Sequence, residues 1–170
     1  MPGPGRPRNG EDLVLVDEVG RLLKSKGLTI AVAESCTGGR FGDTITDISG
    51  SSDYFLGGVI SYSNESKEQL LGVDPSVLRS KGAVSEEVAI QMASGVRSAL
   101  NSKIGVGITG IAGPSGGTAE KPVGLVYIAV CSKGATLCTK NVFDGSRTEV
   151  KKRSVTKALD MISEFVSAHY

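Results

Sequence analysis

The sequence predicts a layered α/β domain built on a mixed sheet. Predicted strands alternate with predicted helices in the order α-β-α-β-α-α-β-β-β-α, and this alternation is typical of a sheet covered by helices. Two neighbouring apolar runs, residues 123–131 and 136–143, are joined by the turn Ser132-Lys133-Gly134, which predicts an antiparallel hairpin. A length of 170 residues suits one domain.

Each element is predicted from its apolar periodicity and its end signals. The predicted helices cover residues 11–26, 38–47, 65–71, a short segment that begins at Pro75, 86–101 and 147–167. The predicted strands cover residues 28–33, 55–62, 104–109, 123–131 and 136–143. Asn64 and Ser85 are predicted N-caps, and Ser146 with Glu149 forms the S-x-x-E pattern of a capping box.

The first ten residues differ in composition from the rest. The segment 1–10, MPGPGRPRNG, holds three prolines and three glycines. Such a segment cannot bury enough apolar surface to offset the entropy of ordering, so we expect it to be disordered. We expect residues 11–170 to form a single domain.

The composition excludes several kinds of site. His169 is the only histidine, and it is next to the last residue, which argues against a His-dependent triad or a two-histidine metal site. The three cysteines, Cys36, Cys131 and Cys138, form no CxxC pair, so we expect neither a zinc site nor a disulfide framework. Their odd number suits a reducing compartment, and we expect a cytoplasmic protein.

Charge and hydropathy also limit the partners. The 19 basic and 18 acidic residues leave a net charge of +1, and aromatic residues make up only 5% of the chain, which argues against nucleic-acid binding. No apolar run reaches the ~18 residues that a membrane span needs. We therefore expect neither a nucleic-acid partner nor a membrane partner, and no cofactor or metal of the protein's own.

The turn after the first predicted strand is the first candidate site. In Glu34-Ser35-Cys36-Thr37-Gly38-Gly39 three nucleophile types are adjacent, and a strand-to-helix turn can direct free N–H groups at a phosphate or an oxyanion. The alternative is that Ser35 and Thr37 only cap the helix and that Cys36 is a small core residue.

The second candidate site pairs Tyr62, at the end of a predicted strand, with Lys67, in the first turns of the next helix. A buried lysine at the positive end of a helix has a lowered pKa and becomes a plausible base. Because no histidine lies within the fold, a Ser–Lys pair is the natural replacement. The alternative is a solvated lysine that pairs with Glu68.

Two further segments suit an anionic ligand. The loop 110–122, GIAGPSGGTAEKP, has four glycines in its first eight residues, and such loops let backbone N–H groups approach a phosphate; the alternative is a flexible tip. Arg147 begins the last helix, where an anion is favoured. The neighbouring Lys151, Lys152 and Lys157 are interpreted as a solvated face.

Together, several segments resemble a known family. They are AESCTGG (33–39), ISGSSDYFLGGVISYSNESK (48–67), GAVS (82–85), GITGIAGPSGGTAEKP (107–122) and FDGSR (143–147). The resemblance is to the C-terminal domain of the competence/damage-inducible protein CinA, a family of nicotinamide-nucleotide amidohydrolases (nicotinamide mononucleotide deamidases) that includes stand-alone forms. It covers about residues 12–168.

The resemblance implies a three-layer α/β/α sandwich with a mixed, mostly parallel sheet, and a homodimer or higher homo-oligomer. It implies that nicotinamide mononucleotide is hydrolysed to nicotinate mononucleotide and ammonia, a step of NAD salvage. It points to Ser35 as the nucleophile, with Lys67 and Tyr62 as proton-transfer partners. In the expected mechanism Lys67 takes the Ser35 proton and Tyr62 relays or hydrogen-bonds it. Cys36 is the local rival nucleophile.

The expected ligand contacts come from backbone groups and from basic side chains. The N–H groups of residues 36–39 would stabilise the oxyanion, and the glycine loop with two arginines would meet the phosphate. The predicted substrate-binding residues are Cys36, Thr37, Gly38, Gly39, Thr109, Gly110, Gly113, Gly116, Gly117, Arg147 and Arg153. Two other functions are left open: a nucleotide-binding module without turnover, and an interaction protein of the DNA-damage response.

Overall fold

The computed structural model describes residues 10–170. Disorder was expected for residues 1–10, of which residues 1–9 lie outside the described residues. The expectation is wrong for Gly10, which begins the first helix. Within the described range no helix is both long enough and apolar enough to cross a bilayer.

All the predicted helices and strands are present, with boundaries shifted by a few residues. The α-helices are α1 (Gly10–Ser25), α2 (Arg40–Thr46), α3 (Asn64–Leu71), α4 (Pro75–Lys81), α5 (Glu86–Ala99) and α6 (Arg147–His169). The strands are β1 (Ile30–Glu34), β2 (Phe55–Ile60), β3 (Ile104–Gly110), β4 (Leu125–Cys131) and β5 (Thr136–Val142). A 3-10 helix over Ser51–Asp53, which the sequence patterns did not predict, precedes β2.

The helix ends confirm two predicted caps and correct a third. Ser85 caps α5, and Ser146 with Glu149 forms the capping box of α6. The cap of α3 is Ser63, whose hydroxyl accepts the N–H of Ser66, and not Asn64. Ser63 has the extended backbone that an N-cap requires, whereas Asn64 is already the first helical residue.

The five strands form one mixed sheet in the order β2-β1-β3-β4-β5. Strand β1 is central to a parallel group, because it pairs in parallel with both β2 and β3. Strand β4 runs antiparallel to β3, and β5 returns antiparallel to β4 as the predicted hairpin. The hairpin therefore extends a short parallel sheet on one side, as expected for an α/β fold with an antiparallel edge.

One face of the sheet is covered by α1, α2 and α6. Branched side chains of the central strands, such as Val32, Ile108 and Ile128, belong to one buried cluster with Val16 of α1 and Phe165 of α6. This cluster is the largest of the three buried hydrophobic clusters in the described part of the chain. Its burial provides the main hydrophobic contribution to folding.

The opposite face is covered by α3, α4 and α5 and carries small side chains. Ala31 and Ala33 of β1 pack in a cluster with Met92 of α5. A Cβ atom built at Gly105 or Gly107 of β3 would overlap a backbone oxygen of α5. The two glycines thus let α5 lie directly on β3, and the domain has the three layers of an α/β/α sandwich.

The parallel strands end together at one edge of the sheet. Glu34, the last residue of β1, lies beside Ile60 of β2 and Ile108 of β3. Ser35 directly follows β1, and Ser61 directly follows β2. Ligands of open α/β sheets bind outside the carboxyl ends of the strands, so this edge is the expected place for a site.

The close contact between α5 and β3 can be tested by adding one methyl group. We expect Gly107→Ala to lower the free energy of unfolding by about 2 kcal/mol or more, because its Cβ would overlap the carbonyl oxygen of Ala89. Gly134→Ala is the matched control, since a Cβ there meets no atom within 4 Å. Urea denaturation measures both variants, and equal stability losses would contradict the interpretation.

Candidate active site

The turn after β1 is organised by the carboxylate of Glu34. Its oxygens accept the N–H groups of Gly39, Phe41 and Gly42 at 3.1, 3.1 and 3.0 Å. These N–H groups belong to the start of α2, where helical backbone donors lack intrahelical partners. Gly39, the N-cap residue, has no side chain that could cap the helix. The buried Glu34 side chain therefore takes over the capping of α2.

Both the backbone N–H and the backbone carbonyl of Ser35 form hydrogen bonds. Its N–H donates to the carbonyl of Ile108 at 3.0 Å, which continues the β1–β3 ladder by one residue. Its carbonyl accepts the N–H of Gly38 at 3.1 Å. The Ser35 side chain is 8% exposed, so its hydroxyl lies at the base of the turn rather than on the open surface.

The same bonds narrow the set of oxyanion donors expected at residues 36–39. The N–H of Gly38 is bonded to Ser35, and that of Gly39 is bonded to Glu34. Among residues 10–170 no carbonyl or carboxylate accepts the N–H of Cys36 or of Thr37. These two groups are the donors that the turn leaves for an oxyanion.

Lys67 brings its amine directly to the Ser35 hydroxyl. The Nζ atom lies 3.0 Å from Ser35 Oγ, 2.7 Å from the carbonyl oxygen of Ser61 and 3.3 Å from that of Tyr62. Lys67 is 1% exposed, and this burial lowers the pKa of its amine because it disfavours the charged form. The alternative of a solvated lysine is wrong.

The partners of Nζ also direct its lone pair. A neutral amine has two N–H groups and one lone pair, and carbonyl oxygens only accept hydrogen bonds. When Lys67 is neutral, its two N–H groups satisfy the carbonyls of Ser61 and Tyr62, and its lone pair faces the Ser35 hydroxyl. The geometry therefore suits removal of the Ser35 proton.

The thiol of Cys36 is a weak rival for Ser35. Cys36 belongs to the main hydrophobic core, and burial raises the pKa of its thiol to about 12. Only the thiolate is a good nucleophile, so at neutral pH Cys36 is almost entirely in its inactive form. These observations favour Ser35 as the attacking group.

A cavity of about 340 Å³ opens above Ser35 and Lys67. Its wall comes from the turn after β1, the end of β2, the segment before α5, the glycine loop after β3 and the start of α6. The remaining lining residues are Cys36, Tyr62, Ala83, Val84, Thr109, Gly110, Ile111, Ala112, Gly113, Ser115, Gly116 and Arg147. The lining includes the Arg147 guanidinium and no acidic side chain, which favours a ligand that carries negative charge.

Tyr62 and Arg147 form one side of the cavity mouth. The Arg147 guanidinium donates through Nη1 to the carbonyl of Gly113 at 2.8 Å and through Nη2 to the Tyr62 hydroxyl at 3.1 Å. Tyr62 is 62% exposed. The structure thus joins the Tyr62 hydroxyl to Arg147, and it is the Tyr62 backbone carbonyl that contacts Lys67. A proton relay through the phenol, as expected from the sequence, has no contact that supports it.

The glycine loop is attached to the neighbouring segment by a buried hydroxyl. Thr109, at 1% exposed, donates through Oγ1 to the carbonyl of Ala83 at 2.7 Å. Thr109 therefore lines the cavity as expected, but its hydroxyl is engaged within the protein. Its role is to hold the two walls of the cavity together.

Several predicted binding residues lie outside the cavity wall. They are Thr37, Gly38, Gly39, Gly117 and Arg153. Arg153 lines a separate surface groove together with Phe143 and Asp160, because it lies on a different side of α6 from Arg147. Thr37 is fully buried, so its side chain does not reach the cavity.

Two contributors to the site were missed by the sequence analysis. The first is the carbonyl of Ser61, the shortest contact of Lys67. The second is the pair Ala83 and Val84, which lines the cavity. Both belong to the GAVS segment (82–85), to which the sequence analysis gave no role. Backbone carbonyls carry no residue-type signal, and the only hint for Ser61 was its position one residue after a strand at the carboxyl edge.

A metal centre has no ligand set in the described part of the chain. Among the described side chains, those of residues 10 and 13–170, no group of three or more His, Cys, Asp or Glu residues could hold a metal ion.

Comparison with known proteins identifies the relatives of this chain. A family model described as "CinA C-terminal domain" matches residues 13–166. A CinA-like protein of Koribacter versatilis is 50% identical over 154 residues, which is 91% of this chain and 37% of that protein. A Moorella thermoacetica protein named for competence and damage induction is 51% identical over 152 residues, or 89% of this chain and 37% of its own length. The chain thus spans little more than a third of these relatives.

Solved structures agree with the observed fold. The competence/damage inducible protein CihA of Agrobacterium tumefaciens matches with a TM-score of 0.90 at 38% identity, over 94% of this chain and 98% of that one. The competence damage-inducible protein A of Klebsiella pneumoniae matches with a TM-score of 0.90 at 32% identity and the same coverage.

The buried amine predicts a pH-dependent effect on stability. Because burial lowers the pKa of Lys67 in the native state, the unfolded state binds more protons between the native and the ordinary lysine pKa. In that window the stability of the wild type rises with pH. We therefore expect the melting temperature of Lys67→Met, relative to wild type, to be highest near pH 6 and to fall toward pH 10.

Thermal melts across this pH range check the difference. Lys133→Met, which removes an exposed lysine in the β4–β5 turn, is the matched control for the loss of one positive charge. A difference between Lys67→Met and wild type that stays constant with pH would contradict the buried, destabilised charge.

Proposed function

This chain belongs to the CinA C-terminal domain family, and we propose that it hydrolyses the carboxamide of nicotinamide mononucleotide to nicotinate mononucleotide and ammonia. The observation that carries the proposal is the buried amine of Lys67, 3.0 Å from the Ser35 hydroxyl at the base of a cavity. A serine paired with a low-pKa lysine is a nucleophile and base suited to acyl transfer.

The first half of the reaction would form an acyl-enzyme. The Ser35 oxygen attacks the carboxamide carbon while Lys67 takes the hydroxyl proton. The oxygen of the tetrahedral intermediate accepts the N–H groups of Cys36 and Thr37, and each such donor contributes about 2.7–4 kcal/mol in known oxyanion holes. Lys67 then gives its proton to the departing nitrogen, the C–N bond breaks, and ammonia leaves.

The second half would repeat these steps with water. A water molecule loses a proton to Lys67 and attacks the ester carbon. The bond to the Ser35 oxygen then breaks and Lys67 returns the proton to Ser35. The product is the nicotinic acid form, which loses its carboxyl proton to solvent or to the released ammonia and becomes nicotinate, and the enzyme regains its starting state.

The cavity supports a nucleotide-sized substrate. Its volume of about 340 Å³ falls within the usual range of small-molecule sites, roughly 300–1,000 Å³. The reacting amide would lie at the base, next to Ser35, and the phosphate would lie at the mouth near Arg147. The glycines of the loop after β3 leave the backbone open toward the ligand.

Ammonia release tests both the reaction and the nucleophile. We expect Ser35→Ala to lower the kcat for nicotinamide mononucleotide by about 10³-fold or more, because the attacking oxygen is removed. Cys36→Ala is the matched control at the next residue. It keeps the backbone N–H and loses only a protonated thiol, so we expect its kcat within about fivefold of the wild type.

The outcomes separate the possible mechanisms. Release that survives Ser35→Ala but is lost in Cys36→Ala would move the nucleophile to the thiol. A wild type that binds the nucleotide and releases no ammonia would favour the binding module without turnover. Calorimetry with the same nucleotide distinguishes this second outcome from a protein that does not bind it.

The pH profile tests the role of Lys67. The base must be neutral, and burial lowers the pKa of Lys67, so kcat/KM should fall as the pH drops through this lowered pKa. A phosphomonoester titrates near pH 6, so nicotinamide riboside, which has no phosphate, serves as the control substrate. An acid limb that is absent from pH 6 to 9 with both substrates would contradict a neutral lysine base.

A further inference from the structure

The glycine loop after β3 consists of two limbs that pack against each other. The inner limb, residues 111–117, supplies five residues of the cavity wall, and the outer limb, residues 118–124, leads back to β4. A Cβ built at Gly113 would overlap the Val123 side chain at 2.4 Å, and one built at Gly117 would overlap the Val123 nitrogen at 2.7 Å. The inner limb therefore lies directly on the outer limb, and its position depends on where the outer limb is held.

The outer limb is attached to the end of α4 through Lys121. The Nζ atom of Lys121 donates to the carbonyl oxygen of Lys81, the last residue of α4. Carbonyls at a helix C-terminus lack intrahelical partners, and that end of a helix attracts a cation. The same Nζ atom lies 3.0 Å from the position that a Cβ would take at Gly82. Gly82 thus leaves the space in which the ammonium reaches the helix end.

The backbone of the outer limb directs the Lys121 side chain. The N–H of Lys121 donates to Thr118 Oγ1 at 3.0 Å, and the N–H of Thr118 donates to the Lys121 carbonyl at 2.8 Å. These two bonds close the turn 118–121, from which the side chain extends to α4. The neighbouring residues 114–120 are exposed, so burial of their own side chains contributes little to holding the loop in place.

A second hydrogen bond connects the same two segments at the other end of the loop. Thr109, near the end of β3, donates to the carbonyl of Ala83 at 2.7 Å, whereas Lys121 donates to that of Lys81. The segment between α4 and α5 therefore holds the glycine loop at its beginning and near its end. The GAVS segment (82–85) takes part in both contacts, through the carbonyl of Ala83 and the space beside Gly82.

We propose that Lys121 is a positioning residue that keeps the inner limb in the shape that binds the substrate. The inference rests on the function proposed above for the cavity. Lys121 is not part of the cavity wall and acts through Val123, which supports Gly113. The Gly113 carbonyl in turn accepts the N–H of Arg147 Nη1 at 2.8 Å. Without the Lys121 contact the outer limb loses its attachment to α4, and the inner limb and Arg147 lose their fixed position.

Amide hydrogen exchange tests the contact without any ligand. Loops with an exposed backbone open locally, and the population of the open state determines their exchange. We expect Lys121→Met, which keeps the stem but removes the donor, to raise the exchange of residues 111–124 about tenfold. Lys121→Arg keeps a cationic donor and should restore most of the protection. Lys133→Met, at the exposed lysine of the β4–β5 turn, is the control and should exchange as wild type.

Two results of the exchange experiment would contradict the proposal. The first is unchanged exchange of the loop in Lys121→Met. The second is a rise of equal size throughout the domain, including β1 and α6, which would show a loss of global stability instead of the release of one loop.

Kinetics shows whether the position of the loop matters for binding. We expect Lys121→Met to raise the KM for nicotinamide mononucleotide about fivefold or more, because the binding-competent wall is then present only part of the time. The kcat should stay within about twofold. The acid limb of kcat/KM should not move, because the partners of the Lys67 amine all lie outside the loop. A fall in kcat with an unchanged KM would overturn the proposal.

The two experiments separate this inference from the amidase itself. If loop exchange rises but the wild type releases no ammonia, the calorimetric Kd for the mononucleotide replaces the KM. Weaker binding by Lys121→Met then supports the positioning role, and equal binding contradicts it. If ammonia is released and neither loop exchange nor KM changes in Lys121→Met, the amidase stands and the role of Lys121 is wrong.

Discussion

The site depends on one buried amine that has only neutral partners. Lys67 contacts a hydroxyl and two backbone carbonyls, and none of these can compensate for a full positive charge removed from water. A carboxylate in their place would favour the charged ammonium and would make the lysine a poor base at neutral pH. The carbonyls instead hold the amine in position and leave its lone pair for Ser35. The packing around Lys67 thus has two effects: it positions the amine, and it lowers the pKa of the amine.

A carboxylate does lie close by in the fold, but it is fully engaged elsewhere. Glu34, which directly precedes Ser35, accepts three N–H groups from the start of α2. This arrangement stabilises the carboxylate without Lys67 and also shapes the turn that presents Ser35. Because Gly38 and Gly39 donate inside the turn, only the N–H groups of Cys36 and Thr37 remain for a ligand. The Glu34 cap therefore keeps this carboxylate away from Lys67 and fixes the turn that carries Ser35.

The sequence predicts the elements well because their signals are local. Apolar periodicity and the caps Ser85 and Ser146 locate helices to within a few residues, and the hairpin follows from two apolar runs and a short turn. The contact between Ser35 and Lys67 joins positions 32 residues apart, and no local pattern determines such a distance; only the absence of an internal histidine and the family motifs indicated the pair. The carbonyl of Ser61 and the half-buried position of Lys151 beside Gly38, which was interpreted as part of a solvated face, were not predictable. The first depends on backbone direction and the second on the rotation of a helix against its layer.

The distance between Ser35 and Lys67 is set by the layer behind them. Ser35 extends from β1, whereas Lys67 belongs to α3, so the gap between their atoms depends on how closely helices and sheet approach. Gly107 lets the backbone of α5 lie directly on β3, and Gly95 of α5 lets the end of α3 lie directly on α5, since a Cβ there would overlap the carbonyl oxygen of Leu71. Two successive backbone contacts thus fix the depth of α3 without long side chains that could adjust. A rigid stack of this kind would hold the two proposed catalytic groups within the few tenths of an ångström that proton transfer needs. Glycines far from the cavity thus influence the geometry of the proposed site.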